Sequence, residues 1–134
     1  MAEPVFVALL FADRVITEAE NSKRTIVGTF TTFYSPRVPV IYPPWFVYAA
    51  VTNIDPGEQH NYSISLVQDE TEGVVLSSSG EFEVENRLVV PEIVVVAGNV
   101  RFPTFGTYTA VFNVDRRQVG SRKLEIQHRQ SGGE

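Results

Sequence analysis

No cysteine occurs in the 134 residues, and methionine and tryptophan occur once each. The missing cysteine removes a block of chemistry at once: there is no disulfide framework, thiolate metal site or cysteine nucleophile. Long hydrophobic runs are missing too. The apolar stretch PVFVALLFA at residues 4–12 falls far short of the ~20 residues a membrane helix needs. A secretory signal would carry basic residues before such a run, and here the one charge is Glu3. The stretch therefore reads as a core strand, and the chain as cytoplasmic with no membrane partner. Basic residues are in deficit, 11 against 16 acidic, for a formal charge of -5. That balance argues against nucleic acid as a partner, because such binding rests on neutralising phosphates. Helical periodicity and fixed-period repeats are absent as well.

What is present fits pleated, half-buried surfaces: 9 Phe and 5 Tyr among many Val and Thr. With 43% hydrophobic and 20% charged residues, the chain has the make-up of a globular protein rather than a disordered one. Its length suits a single domain, read here as residues 1–129, followed by a polar tail at 130–134 expected to be disordered.

The last hairpin organises the rest. Tyr108, Ala110, Phe112 and Val114 alternate with Thr107, Thr109 and Asn113, the two-residue period of a half-buried strand. Asp115, Arg116 and Arg117 supply a turn, and residues 119–126 return. Gly106 and Tyr108 open the hairpin as a Gly-x-Tyr corner, in which the ring enters the core and the hydroxyl bonds back to a loop. Upstream, residues 4–12 are apolar on both parities, with Val5, Val7, Leu9 and Phe11 on one face and Phe6, Ala8 and Leu10 on the other. Residues 13–20 read as a short helical turn or a loop. Residues 23–33 read as one strand facing Ile26, Gly28 and Phe30 inward, with Gly28 marking a bulge or a close backbone approach. A proline-rich stiff connection at 34–44 leads to a strand at 45–52, and an Asp-Pro-Gly turn leads to one at 61–68 with Tyr62, Ile64 and Leu66 inward. An acidic turn at 69–73, a strand at 74–84 broken near Ser77, Ser78, Ser79 and Gly80, and a short strand at 93–97 complete the list. Seven to nine strands with frequent turns predict an all-β fold, an antiparallel Greek-key sandwich of immunoglobulin-like type without a long helix.

The segments PVFVALLFADRV and KRTIVGTF, the aromatic and proline-rich connection and the late FGTY hairpin together resemble a family of small bacterial β-sandwich proteins of unknown function. Asp13, Gly28, Gly106 and Tyr108 are its individual marks. The resemblance implies a fold and a bacterial source, and brings no activity, cofactor or catalytic residue with it.

Candidate chemistry is sparse. His60 lies in a turn and His128 near the tail, neither with a Ser or Asp at a motif spacing, so both read as exposed loop histidines and no catalytic residue is assigned. Asp55 and Glu58, and the turn with Asp69, Glu70 and Glu72, offer oxygens for calcium. The two groups should lie at opposite ends of one strand, however, so no metal or other cofactor is expected. Arg116, Arg117, Arg122 and Lys123 form the one basic cluster. The strand period sends Arg122 and Lys123 to opposite faces, and they read as protection of an edge strand. Tyr34, Arg37, Tyr42 and Trp45, stiffened by nearby prolines, are the residue types that anchor interfaces. They form the candidate protein-binding surface, with core packing of Trp45 as the competing expectation. The function read from this is a non-catalytic binding or assembly module with an unknown protein partner. The alternatives are a ligand-binding or enzymatic domain with a pocket between the sheets, or a structural subunit of a larger assembly. The doubly apolar strand at 4–12 further predicts self-association as a homodimer.

Overall fold

The computed structural model of the chain describes residues 3–130. Among these residues there are eleven strands and no helix: β1 (Val5–Thr17), β2 (Arg24–Phe30), β3 (Thr32–Ser35), β4 (Val40–Ile41), β5 (Trp45–Thr52), β6 (His60–Gln68), β7 (Val74–Phe82), β8 (Glu92–Ala97), β9 (Arg101–Phe102), β10 (Gly106–Val114) and β11 (Arg117–His128). Sheet A has the order β2-β1-β5-β8 and sheet B the order β3-β11-β10-β6-β7, while β4 and β9 form a separate pair. Pairing is antiparallel throughout except for β3, which lies parallel to β11. The all-β architecture is as the alternation predicts. The expected tail falls mainly at 131–134, outside the described residues.

The inner faces of the two sheets share one core. Leu9, Phe11, Trp45, Val47 and Ala49 come from sheet A, and Ile64, Leu66, Tyr108, Phe112 and Leu124 from sheet B. Each is nearly or fully buried, which stabilises the fold by roughly 1.5–3 kcal/mol per large aliphatic or aromatic side chain. Tyr108 is completely buried; its hydroxyl donates to the Thr104 carbonyl at 2.8 Å and accepts from the Thr104 N–H at 3.3 Å. Gly106, two residues before it, has φ 127.

Four details differ from expectation, each for a local reason. Residues 13–17 extend β1 rather than turning, because their partners at Arg24–Val27 continue the ladder. The turn falls at 18–23, closed by Glu18 N–H to the Lys23 carbonyl at 2.8 Å. The segment at 23–33 is two strands in two sheets: β2 stops at Phe30, Thr31 crosses over, and β3 joins β11. A register shift between Phe6 and Ala8 breaks the single face assigned to Val5, Val7, Leu9 and Phe11, since an extra residue reverses parity. Phe6 pairs with core Val51 and faces in with Leu9 and Phe11, whereas Val5 pairs with Thr52 and faces out. The serine run does not break its strand; Ser77, Ser78 and Ser79 pair in register with Ser65, Ile64 and Ser63.

Two close approaches explain glycines. Gly28 has φ 67, and a Cβ there would meet the Asp13 carboxylate at 2.4 Å, so Asp13 rests on this backbone. Gly120 lies under the ring of Phe6, which a Cβ would meet at 2.5 Å. Phe6 thereby ties β1 of sheet A to β11 of sheet B.

The outer faces are unlike each other. On sheet A the register aligns Thr29, Ala12, Phe46 and Val96 in one row and Leu10, Tyr48 and Val94 in the next. On sheet B the outward residues are mostly polar, Asn61, Ser63, Ser65, Thr107, Thr109, Asn113, Ser121 and Lys123, with Val67, Val74 and Val111 among them.

Candidate functional site

The end of the molecule where β6 begins holds a cleft of about 440 Å³, lined by Glu3, Pro4, Ile54, Asp55, Glu58, His60, Val114, Asp115 and Arg117. Its geometry is set by the β10–β11 turn. Asp115 and Arg116 both have positive φ, 51 and 68, the two-residue hairpin conformation that usually takes Asn-Gly because side chains resist it. Asp115 compensates through three bonds, two from its side chain and one from its backbone. Oδ1 accepts the Asn61 N–H at 3.0 Å, Oδ2 contacts His60 Nδ1 at 2.6 Å, and the Asp115 N–H donates to the Asn61 carbonyl at 2.8 Å.

His60 is only 5% exposed, not the exposed loop histidine expected. Its Nε2 meets the Asp55 carbonyl at 2.7 Å, and its ring stacks on Phe82 at 5.6 Å. A carboxylate and a carbonyl both accept, so this pair of partners favours hydrogen on both ring nitrogens, the imidazolium form. Burial opposes that charge. The bonds to Asp115 and to the Asp55 carbonyl, with the negative charges of Asp115 and Glu58, outweigh burial and hold its pKa above the ordinary value. Both ring nitrogens are engaged by partners within the fold. His60 thus joins the 53–59 loop, the start of β6 and the last hairpin turn. Asp55 in turn receives Arg87, at 2.7 Å from Nη2 and 3.2 Å from Nε. Around this pin the cleft has an apolar floor of Ile54 and Val114, which are 1% and 0% exposed, and a mainly acidic rim. It offers no hydroxyl or amine nucleophile among its lining residues.

Sequence spacing hid this arrangement, because Asp115 is 55 residues from His60. The available signal was polarity: a histidine on the parity of Tyr62, Ile64 and Leu66 has to find partners.

The other candidates are scattered. Trp45 is 2% exposed and lies within 5.5–6.4 Å of Phe11, Phe30, Phe33 and Phe102. It is core, and its ring is withdrawn from any binding surface. Tyr42 is half-buried on Phe33, ring centroids 4.1 Å apart, and donates to the Tyr34 carbonyl at 3.1 Å. Tyr34 is 44% exposed beneath the Arg129 guanidinium, and Arg37 is exposed. Two of the four residues therefore reach the surface. His128 is exposed, edge-on to Phe105 at 5.5 Å.

The acidic groups flank opposite ends of β6, and among the described residues no three metal-ligating side chains converge. Asp69 is held by Lys123 at 2.8 Å and Thr109 at 2.6 Å, which lower its pKa. On sheet A the Tyr48 hydroxyl donates to Glu92. Burial, then that bond and the Glu92 charge, push the phenol pKa up to about 12.

No curated protein matches the chain. Among solved structures it resembles a Pseudomonas fluorescens alkylpurine DNA glycosylase, AlkC, bound to DNA containing an abasic site analog. The TM-score is 0.58 at 9% identity, over 94% of this chain and 31% of that one; the chain thus spans about a third of its neighbour's length. The likeness is one of fold. It still overturns the exclusion of nucleic acid drawn from net charge, since this fold is found in a DNA-bound protein. Net charge is a sum over the surface, and association responds to local fields. Among the described residues no helix is long and apolar enough to cross a membrane. Residues 7–127 match one family model, and the chain belongs to that family of unknown function, DUF6941.

Proposed function

We propose that this chain is a non-catalytic binding module, an immunoglobulin-like Greek-key sandwich working in a bacterial cytoplasm and docking through the outer face of sheet A. The supporting observation is that Leu10, Phe46, Val94 and Val96 share that outward face, Val96 59% exposed and the other three half-buried, beside buried Ala12, Tyr48 and Ala50. A contiguous apolar patch on a soluble protein is an interaction surface or a liability. The absence of cysteine agrees with a reducing compartment.

The test is binding of an apolar fluorescent dye to the native protein, compared with Phe46→Glu/Val96→Glu. The variant should keep its circular dichroism and lose the dye. Equal dye binding by both proteins would refute the docking face.

A second reading, a small-ligand site, has the volume and acidic rim of the His60 cleft in its favour. Thermal-shift measurements with small organic cations address it. DNA is a partner class to test on this surface too, because of the DNA-bound neighbour. Titration with short duplex and single-stranded oligonucleotides at low salt addresses that.

A further inference from the structure

On one side of the sandwich both sheets end in strands that are only half paired. β1 pairs with β5 from Val5 to Ala12, but with β2 only from Phe11 to Thr17. Residues 5–10 therefore have a strand on one edge and none on the other. β11 runs close to this edge, with Gly120 under the Phe6 ring, and meets β3 only at Glu125–His128, so residues 117–124 have an unpaired edge as well. The crossover at Thr31 closes one end of this gap, where a cavity of about 180 Å³ is lined by Leu10, Phe11, Thr29, Phe30, Thr31 and Arg122.

The two edges are treated differently. The β11 edge carries Arg117, Arg122 and Lys123, the charged type that discourages strand addition. The β1 edge carries no charge, no lysine and no proline within residues 5–10, and Val5, Phe6 and Val7 are 50%, 41% and 49% exposed. A run of exposed apolar residues on an open edge is a template for another strand.

We propose that two copies of this chain join through this edge, residues 5–10 of β1 pairing antiparallel with the same residues of a second copy about a two-fold axis. The open stretch is itself a neutral strand of the required length and chemistry, and a two-fold uses both edges up, so the assembly closes. With the axis between Val7 and Ala8, Val5 faces Leu10 of the second copy and Phe6 faces Leu9. The chain preceding each Val5 then passes the cavity at the head of the other gap. That brings Glu3, whose side chain is 86% exposed and 4.0 Å from Arg117 of its own copy, towards Arg122, which makes no ion pair among the described residues. The two sheets A become one continuous sheet. This inference does not rest on the docking face proposed above, which stays open on each copy.

Sedimentation velocity on the full chain tests it. The wild type should be a dimer. Val5→Lys/Val7→Lys, at exposed positions, should be a folded monomer that still binds the apolar dye. Arg122→Glu should weaken the dimer roughly threefold, the scale of one exposed ion pair, and Glu3→Arg/Arg122→Glu should restore it. If the lysine variant does not fold, hydrogen exchange on the wild type decides. Amides of residues 5–10 should gain protection as concentration rises, and concentration-independent exchange overturns the proposal. So does a wild type that stays monomeric at hundreds of micromolar, or a dimer that survives Val5→Lys/Val7→Lys. A dimer lost instead in Val96→Lys overturns it as well, by moving the contact to the β8 edge.

Discussion

The outer faces of the two sheets are built from similar β-forming residues and solve opposite problems. On sheet B the polar side chains that surround outward Val67 and Val111 bond to one another. Thr107 donates to Glu125 at 2.6 Å, Thr109 to Asp69 at 2.6 Å, and Asn113 to Ser63 at 3.3 Å. Such a face is satisfied in water. On sheet A the outward Leu10, Phe46, Val94 and Val96 are apolar, and the polar contacts there tie Tyr48 of β5 and Arg24 of β2 to Glu92 of β8, across the sheet. A sheet with one solvated face has one core; a sheet apolar on both faces has a second surface to cover.

The largest effect comes from exchanging neighbours across sheet A. Leu9 is 1% exposed and inward, so Leu9→Glu should bury a carboxylate and unfold the domain, at a cost above about 4 kcal/mol. Leu10→Glu lies on the outer face and should cost less than about 1 kcal/mol. Urea unfolding of the two variants measures the gap. Equal losses would mean that the outer face is covered by the chain itself and that the contrast between the faces is false.

The inner face tests whether the sheets share their core as one unit. Tyr108→Ala should lose about 4 kcal/mol through the cavity it leaves. Tyr108→Phe should lose about 1 kcal/mol, because the Thr104 carbonyl and N–H lose their partner. A tolerated Tyr108→Ala would contradict the complete burial of the ring.

Much of this was legible in sequence because alternation reports burial directly. Tyr108, Ala110, Phe112 and Val114 are inward as the period requires, and β5 and β6 fall where apolar runs and turn residues place them. Three things were not legible. The bulge at Val7 reverses parity without changing composition. The crossing at Thr31 divides what reads as a single strand, since a run of threonines and phenylalanines suits either sheet. The bond between His60 and Asp115 depends on two chain segments meeting through a hairpin turn, and no local pattern encodes that meeting. The basic residues of β11 were read as edge protection, and the edge they line is unpaired from Arg117 to Leu124.

His60 gives a smaller effect with a defined sign. Its folded pKa is raised above the unfolded value of 6.5. The stability it contributes is therefore fully present below that pH and is lost as pH rises through the folded pKa. The melting temperature should fall across that window, and His60→Gln should flatten the fall. A wild-type curve that rises there would remove the imidazolium assignment.

The smallest effect lies on the polar face and tests the claim that sheet B is finished in water. Lys123 Nζ bonds Asp69 at 2.8 Å and Thr109 at 2.9 Å, with the lysine side chain 63% exposed. Water and salt screen a pair this open, so Lys123→Ala should lower the melting temperature by only roughly 1 °C. The sign with pH is opposite to that of His60. The Asp69 pKa is held below its usual 3.8 by Lys123 first and Thr109 second. Its contribution is present above 3.8 and lost as pH falls through the lower folded value, so wild type and Lys123→Ala should converge in acid. A loss of several degrees at neutral pH, or a gap that persists below the folded pKa, would show the trio bracing β10, β11 and the 69–72 turn. The polar face would then depend on its bonds as the inner face depends on its packing, and the contrast between the two sheets would narrow.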